Sequence, residues 1–459
     1  MRALFLNQFY APDIAATAQV LSALCQDLAA RGHDVSVLCG SARYRQSHLG
    51  WTRSPDTTDG VLAGHELRAG VQVHRIPVSD PPAATARWAK SGAGKLALRL
   101  LREARFSVGV YRHARRLVQQ QRPDVLVAMS TPPTLLLLAL CVGVPQRVPV
   151  VYWVQDVYPD LLWATGLLQP TQPLHRLLMA GLLRGATWLY RHTAAAVVLD
   201  EAMRDRLYAA GFPADRLHVI DHAANSQVIT AVPNQENRVR QLLGVDPQDF
   251  VVCYAGNLGR GHDFATVAAA LCRLESDPVL RGVHFVFIGE GEQRALLQSA
   301  VPPSAKAHVH FLPPQASELH RDVLSAGDVA LVTLGAPFAG LMTPSKIYPL
   351  LAASRPLLYV GPATGRVAEL CRATPSFQPV GDRVENGDVD GFLAALRRLY
   401  TDVPRREGMA RQARRLAEDR FDQRFATSRH EALLTHLIAT HSSQGGAQSQ
   451  GSQAAPRGT

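Results

Sequence analysis

Two residues in the segment GLMTPSKIYPLLAASRP (340–356) have the types and placement to hold an anion. Ser345 and Lys346 follow Pro344 at the start of a helical stretch, so a hydroxyl, an ammonium and the free N–H groups of a helix end converge on one point. A second candidate lies upstream. In AGNLGRGHDF, Gly256, Gly259 and Gly261 follow an apolar run and precede the helical stretch DFATVAAALCRL. That geometry lets backbone N–H groups approach phosphate oxygens while Arg260 supplies charge, although a turn chosen only for its backbone angles reads the same way. FIGEG (287–291) repeats the strand-turn-helix arrangement. Arg294 occupies the third glycine position of its dinucleotide fingerprint, which argues against NAD.

Such turns need strands to place them. ALFLNQFY, the amphipathic stretch TAQVLSALCQDLAARG and HDVSVLCG make a β-α-β opening, and the alternation recurs through VQVHRIPV, DVLVAMS, VPVVYWV and AAAVVLD. After a polar linker, NSQVITAVPNQENRVRQ, it restarts with FVVCYAGN and continues through VHFVFIGEG, HVHFL, VALVTL and PLLYVG. The pattern predicts an α/β protein of two tandem, doubly wound Rossmann-like domains, residues 1–225 and 226–420. A C-terminal helix (421–441) and a disordered, apolar-poor tail (442–459) follow. Ligands of open α/β sheets collect at the carboxyl ends of the strands, so the site is expected in the cleft between the domains.

The 459 residues suffice for two full cores, and 47% hydrophobic with 19% charged residues excludes fibrous and wholly disordered classes. Of the net charge of +10, residues 1–210 carry +9, so one half holds the positive field. Six cysteines stand alone in apolar segments without C-x-x-C spacing, as expected of core thiols in a reducing compartment, and no secretory signal follows Met1. Val125–Gln146 is 22 residues without a charge, but Pro132 and Pro133 divide it into a strand and a short core helix instead of a membrane span. No H-E-x-x-H or Cys/His cluster suggests a metal, and Asp388-Val389-Asp390 reads as a helix cap.

Taken in order, NQFYAPDIAAT, DLAARGHDVSVLCG, YWVQDVYPD, VVLDEAMRDRLYAAGFPADRLHVI, YAGNLGRGHDF, FIGEGEQRALL, FLPPQ and TPSKIYPLLAASRP run over nearly the whole chain. In this arrangement the sequence resembles the glycosyltransferase family 4 enzymes of the GT-B fold, in the colanic-acid and O-antigen branch. The resemblance implies a C-terminal domain that holds a nucleotide-sugar co-substrate, a UDP- or GDP-sugar, with no metal strictly required. Arg260 and Lys346 would neutralise the diphosphate, with Ser345 and the amides near Gly256 and Gly259 adding hydrogen bonds. The base would lie against Leu312 and Pro313. Asp156 would face the cleft near the transferred sugar or the acceptor hydroxyl, and the turn Asp13–Thr17 would border the acceptor. The family's retaining members imply an α-linkage formed by front-side attack. Fixed cations aimed at the leaving diphosphate would stabilise the transition state more than the ground state.

The chain departs from that pattern at four places. Leu341 and Pro349 stand where a pair of glutamates is usual, and Ala15 and Ala16 where glycines are common. Asp221-His222-Ala223-Ala224-Asn225 replaces a familiar P-N-x-x-D. A nucleotide-sugar epimerase of the same architecture and a catalytically silent sugar-nucleotide-binding scaffold stay open as alternatives.

From Arg87 to Arg116 there are nine basic residues and one acid, Glu103. At helical spacing Lys95, Arg99, Arg102 and Arg116 share one side while Ala97, Leu101, Ala104, Val108 and Tyr111 share another, as on a surface-lying helix. HRLLMAGLLRGATWLYRH adds Trp188 and Tyr190, suited to a headgroup boundary. These stretches predict a peripheral protein at the inner face of the cytoplasmic membrane, drawn to anionic lipid and acting on a polyprenyl-linked saccharide. The bland reading is a solvated basic face. No nucleic-acid module accompanies the charge.

Overall fold

The computed structural model describes residues 1–13, 15–41, 64–77, 92–374 and 377–451. Two sheets form two lobes. The first has the order β3-β4-β2-β1-β5-β6-β7-β8. Its strands are β1 (Arg2–Leu6), β2 (Asp34–Gly40), β3 (Gly64–Arg68), β4 (Val71–Ile76), β5 (Val125–Met129), β6 (Val150–Trp153), β7 (Ala195–Val198) and β8 (Leu217–Val219). All neighbours run parallel except β3 against β4. The second sheet is wholly parallel with the order β11-β10-β9-β12-β13-β14. It is built from β9 (Val251–Ala255), β10 (His284–Ile288), β11 (Val309–Leu312), β12 (Val329–Thr333), β13 (Leu357–Val360) and β14 (Gly381–Val384).

The central strands are short runs of Val, Leu, Ile and aromatic residues, buried on both faces, as a parallel sheet covered on both sides requires. The uncharged stretch from Val125 is the strand β5 followed by a core helix, Thr134–Gly143. Among the described residues no helix is long and apolar enough to cross a membrane. All six cysteines are free. Cys25, Cys39 and Cys253 are buried as expected, whereas Cys141 and Cys272 are exposed and Cys371 is half-buried. Asp388 caps the helix Val389–Thr401 by accepting from the Gly391 N–H at 2.8 Å.

The chain crosses between the lobes twice. The crossings are stitched together: the Ala224 N–H donates to the Phe421 carbonyl (3.0 Å), the Gln423 N–H donates to the Ala224 carbonyl (3.1 Å), and buried Asp422 accepts from the Ser226 N–H and hydroxyl. The last helix, Gln423–Gly451, then returns to the first lobe and packs on the helix Ala16–Ala30. There Thr427 donates to Asp27 (2.8 Å), Arg31 donates to Glu431 (2.6 Å), and Leu434 enters the first lobe's core. This helix continues through Gly451, so the first ten positions of the expected tail are helical. No proline interrupts it before Pro456, and the rest of that tail lies outside the described residues.

A buried ionic network also joins the lobes. Arg366, 4% exposed, pairs through Nε with buried Asp221, through Nη2 with Glu201 (2.9 Å) and through Nη1 with Glu369. Tyr348 donates its hydroxyl to the same Asp221 at 3.3 Å. Burial pushes the Asp221 carboxyl up even with Arg366 beside it, so the network serves specificity of lobe placement more than net stability. Arg366→Ala takes from buried Asp221 its nearest cation, leaving it Tyr348 and a longer contact to Arg420 (3.8 Å), and is expected to lower the unfolding free energy by about 3 kcal/mol. Denaturant unfolding checks this, and the double variant Arg366→Met, Asp221→Asn should recover most of the loss.

Candidate functional site

The second sheet changes winding direction between β9 and β12, which places a crevice at their carboxyl ends. Ala255, Ile288 and Leu312 end β9, β10 and β11 in register, and the turns beyond them share one edge. The Gly256 N–H donates to the Ile288 carbonyl (2.9 Å) and the Gly289 N–H to the Leu312 carbonyl (3.0 Å). Glycine is required twice here. A Cβ on Gly289 would lie 1.9 Å from the Gly256 carbonyl oxygen, and one on Gly256 would lie 2.9 Å from the Lys346 Nζ, both at positive φ.

Lys346 is the centre of this edge. It stands immediately before the short helix Ile347–Ala352, and its Nζ is shut off from solvent with no hydrogen-bond partner. The ammonium sits 3.6 Å from the centroid of the Tyr254 ring. Burial lowers its pKa to about 7. His262, at the far end of the same turn, places Nδ1 2.8 Å from the Thr333 carbonyl. Burial first, and Lys346 second, hold its imidazole down at about 3, so it is neutral. A buried ammonium without a hydrogen-bond partner carries an uncompensated desolvation cost.

The remaining sequence candidates divide. Ser345 is half-buried beside Lys346, and its carbonyl accepts from the Tyr348 N–H at 3.4 Å. Gly259 lies in the Gly256 turn, where its carbonyl accepts from the Gln293 side chain at 2.6 Å. Leu312 is half-buried and Pro313 exposed at the end of β11, on the same sheet edge. Arg260, on the same turn as Gly256 and Gly259, points its side chain outward. Its side chain is 59% exposed and pairs with Glu292 of the neighbouring turn. Sequence reasoning could place the arginine on the loop but not foresee its carboxylate partner.

From the first lobe, Asp156 meets the loop that carries Lys346. It follows β6, donates its N–H to the Ser130 hydroxyl (3.1 Å) and forms an antiparallel bridge with Met342. The Val157 N–H donates to the Leu341 carbonyl at 2.8 Å. Burial raises the Asp156 carboxyl to about 6. The loop carrying Lys346 is thus bonded to the opposite lobe at three successive residues, the third being Thr343, which donates to Asp200 at 2.9 Å. Leu341 itself is buried in the first lobe's apolar core, which explains the missing glutamate: a carboxylate there would be desolvated without a partner.

Residues missed in the sequence are Tyr254, His262 and Gln293. Gln293 donates to the carbonyls of Gly259 (2.6 Å) and His262 (3.0 Å), pinning the turn from the β10 side. Their signal was present only as an aromatic ending β9 and polar residues flanking the glycines. Among the described residues no group of three or more His, Cys, Asp or Glu could hold a metal. Gly256→Ala is expected to displace Lys346 and weaken binding of inorganic pyrophosphate at least about tenfold, measured by calorimetry, with the far-ultraviolet circular dichroism unchanged.

Residues 16–222 match the model of the glycosyl transferase 4-like domain. The chain is 24% identical over 174 residues to WcaI of Escherichia coli (strain K12), named as a colanic acid biosynthesis glycosyl transferase, covering 38% of this chain and 41% of that one. It is 26% identical over 250 residues to WbjE of Pseudomonas aeruginosa, named as a glycosyltransferase, covering 52% and 58%. The chain thus spans about half the length of the curated relatives it matches. Among solved structures, Anabaena HepE in complex with UDP-glucose superposes with a TM-score of 0.66 at 17% identity, covering 95% of this chain and 100% of that one. WaaG, a glycosyltransferase involved in lipopolysaccharide biosynthesis, gives 0.59 at 17% identity, covering 94% and 99%. With its two parallel-sheet lobes joined across a shared edge, the chain has the GT-B fold and carries a glycosyl transferase 4-like domain over residues 16–222.

Proposed function

We propose that this protein is a retaining glycosyltransferase that moves a sugar from a UDP- or GDP-sugar to a lipid-linked saccharide at an anionic membrane surface. The observation that carries the reading is the sheltered, unpartnered Lys346 ammonium at the switch point of the second sheet. A nucleoside diphosphate there supplies the missing counter-ion, and Lys346 then stabilises the charge that grows on the departing oxygen. The acceptor hydroxyl attacks the anomeric carbon from the leaving-group face. The new C–O bond forms as the sugar–phosphate bond breaks, and the hydroxyl proton passes to the departing phosphate oxygen. Asp156, at the lobe seam, orients the sugar or acceptor as a carboxylate. No metal enters this scheme.

The membrane half of the proposal is supported by exposed apolar surface beside exposed charge. Among the described side chains of the helix Gly92–Gln121, Phe106, Val110, Ala114 and Leu117 are buried. Val108 and Tyr111, from the expected apolar side, are exposed, as are Arg105, Arg112, Arg115 and Arg116. The helix therefore has two apolar stripes, and the expected one faces outward. Arg87 and Lys90, and the side chains of Lys95, Arg99 and Arg102, lie outside the described residues. The helix Pro173–His192 buries only Met179 and Tyr190, leaving Leu174 (74%), Leu177 (70%) and Trp188 (56%) in the open. Such a surface fits the acyl–headgroup boundary.

Lys346→Ala is expected to lower kcat for donor turnover at least about tenfold; an unchanged rate refutes the donor reading. The reaction needs Asp156 ionised and Lys346 protonated, so kcat/KM should rise through about pH 6 and fall through about pH 7. A bound diphosphate favours the ammonium and moves the falling limb of kcat to higher pH, and Asp156→Asn should lose the rising limb. The full chain should sediment with phosphatidylglycerol vesicles, leave them at high salt, and ignore neutral vesicles. Leu177→Glu combined with Trp188→Ala should abolish sedimentation while preserving the thermal midpoint.

A further inference from the structure

Three cations border the turns at the carboxyl ends of β9 and β10. Arg260 has Glu292, and Arg294 has Glu290. Among the described residues Lys346 has no carboxylate partner; it has the face of Tyr254. We infer that Tyr254 is a positioning residue that keeps Lys346 charged and in place before the diphosphate arrives, through the face of its ring. The inference rests on the donor reading given above.

The geometry assigns the ring two tasks. Its face lies 3.6 Å from the ammonium, an attraction that does not neutralise the charge and so does not compete with an incoming diphosphate as a carboxylate would. Its hydroxyl donates to the Asn257 carbonyl at 2.6 Å, inside the glycine turn, which ties the ring to the backbone that meets the same anion. The ring is fixed at its edges by His262 (5.7 Å, 83°) and Phe264 (5.0 Å, 76°), and Tyr254 is fully buried. The other titratable groups acting on Lys346 are the Cys253 thiol and the His262 imidazole. Burial holds both in their neutral forms, so neither replaces the ring as a partner.

The chain offers a direct readout, since it has only four lysines: Lys90, Lys95, Lys306 and Lys346. Carbon-13-labelled lysine in the full-length protein gives four signals to titrate by nuclear magnetic resonance, with Lys346→Arg identifying the one of interest. Without nucleotide, Lys346 should titrate well below the other three. Tyr254→Phe keeps the ring face and should leave that midpoint in place, whereas Tyr254→Leu should lower it by about one pH unit. Incorporating 3,5-difluorophenylalanine at position 254 weakens the ring's electrostatic face at nearly constant shape and should give an intermediate shift, which serves if the leucine variant does not fold. Affinity for UDP at neutral pH should fall in the same order. An unmoved Lys346 midpoint in the leucine and fluorinated proteins overturns the role of Tyr254 and leaves the donor reading standing. Full turnover by Lys346→Ala overturns the donor reading and this inference with it.

Discussion

A desolvated ammonium without a carboxylate is costly to keep, and the arrangement of the second lobe follows from keeping one. The Lys346 Nζ has no hydrogen-bond partner, and burial draws its pKa toward neutrality. Its surroundings offset that cost with weak, surrenderable attraction: a ring face below and a glycine beside it that leaves room for the Nζ. The neighbouring arginines are satisfied by their own glutamates, so charge on the sheet edge is graded from paired to unpaired. Lys346 is the least satisfied of the three and the most sheltered.

The loop before Lys346 belongs to both lobes. Leu341 packs into the first lobe's core, Met342 bridges Asp156, and Thr343 bonds Asp200, which also caps the helix Glu201–Ala209 through the Met203 N–H. The carboxylate of Asp200 also accepts from the Arg366 N–H at 3.2 Å, bringing the ionic network within reach of the same loop. A residue that looks remote from Lys346, Asp200, is therefore linked by a single hydrogen bond to Thr343, three positions of chain before it. The apolar seam continues through Leu161 and Ala164, which pack against the second lobe's core.

Most strands and their carboxyl-end turns were legible because apolar runs bounded by glycine and proline admit few other readings in a chain this long, whereas β3, β8 and β14, short or bearing charge, were not. The nearness of Gly256 and Lys346 was legible, since both follow strands at the same edge of the sheet. Partner choice was not. Whether Arg260 meets a phosphate or Glu292 depends on a turn 32 residues away, and the outward stripe of the helix Gly92–Gln121 depends on which of two apolar faces the sheet accepts. The sequence reading named the outward stripe, with Val108 and Tyr111, but not the second one, Phe106, Val110 and Ala114, that packs into the core. Leu341 likewise looked like a lost glutamate until its place in the other lobe's core was visible.

The paired crossings at Ala224 and Asp422 carry a mechanical consequence. One flexible connection would let the lobes swivel about the chain as well as open. Two segments bridged to each other resist torsion about the chain, as a strip of sheet does, where one alone would not. The helix that follows the second crossing is clamped to the first lobe by Thr427 and Glu431, so that strip is anchored in the first lobe's frame.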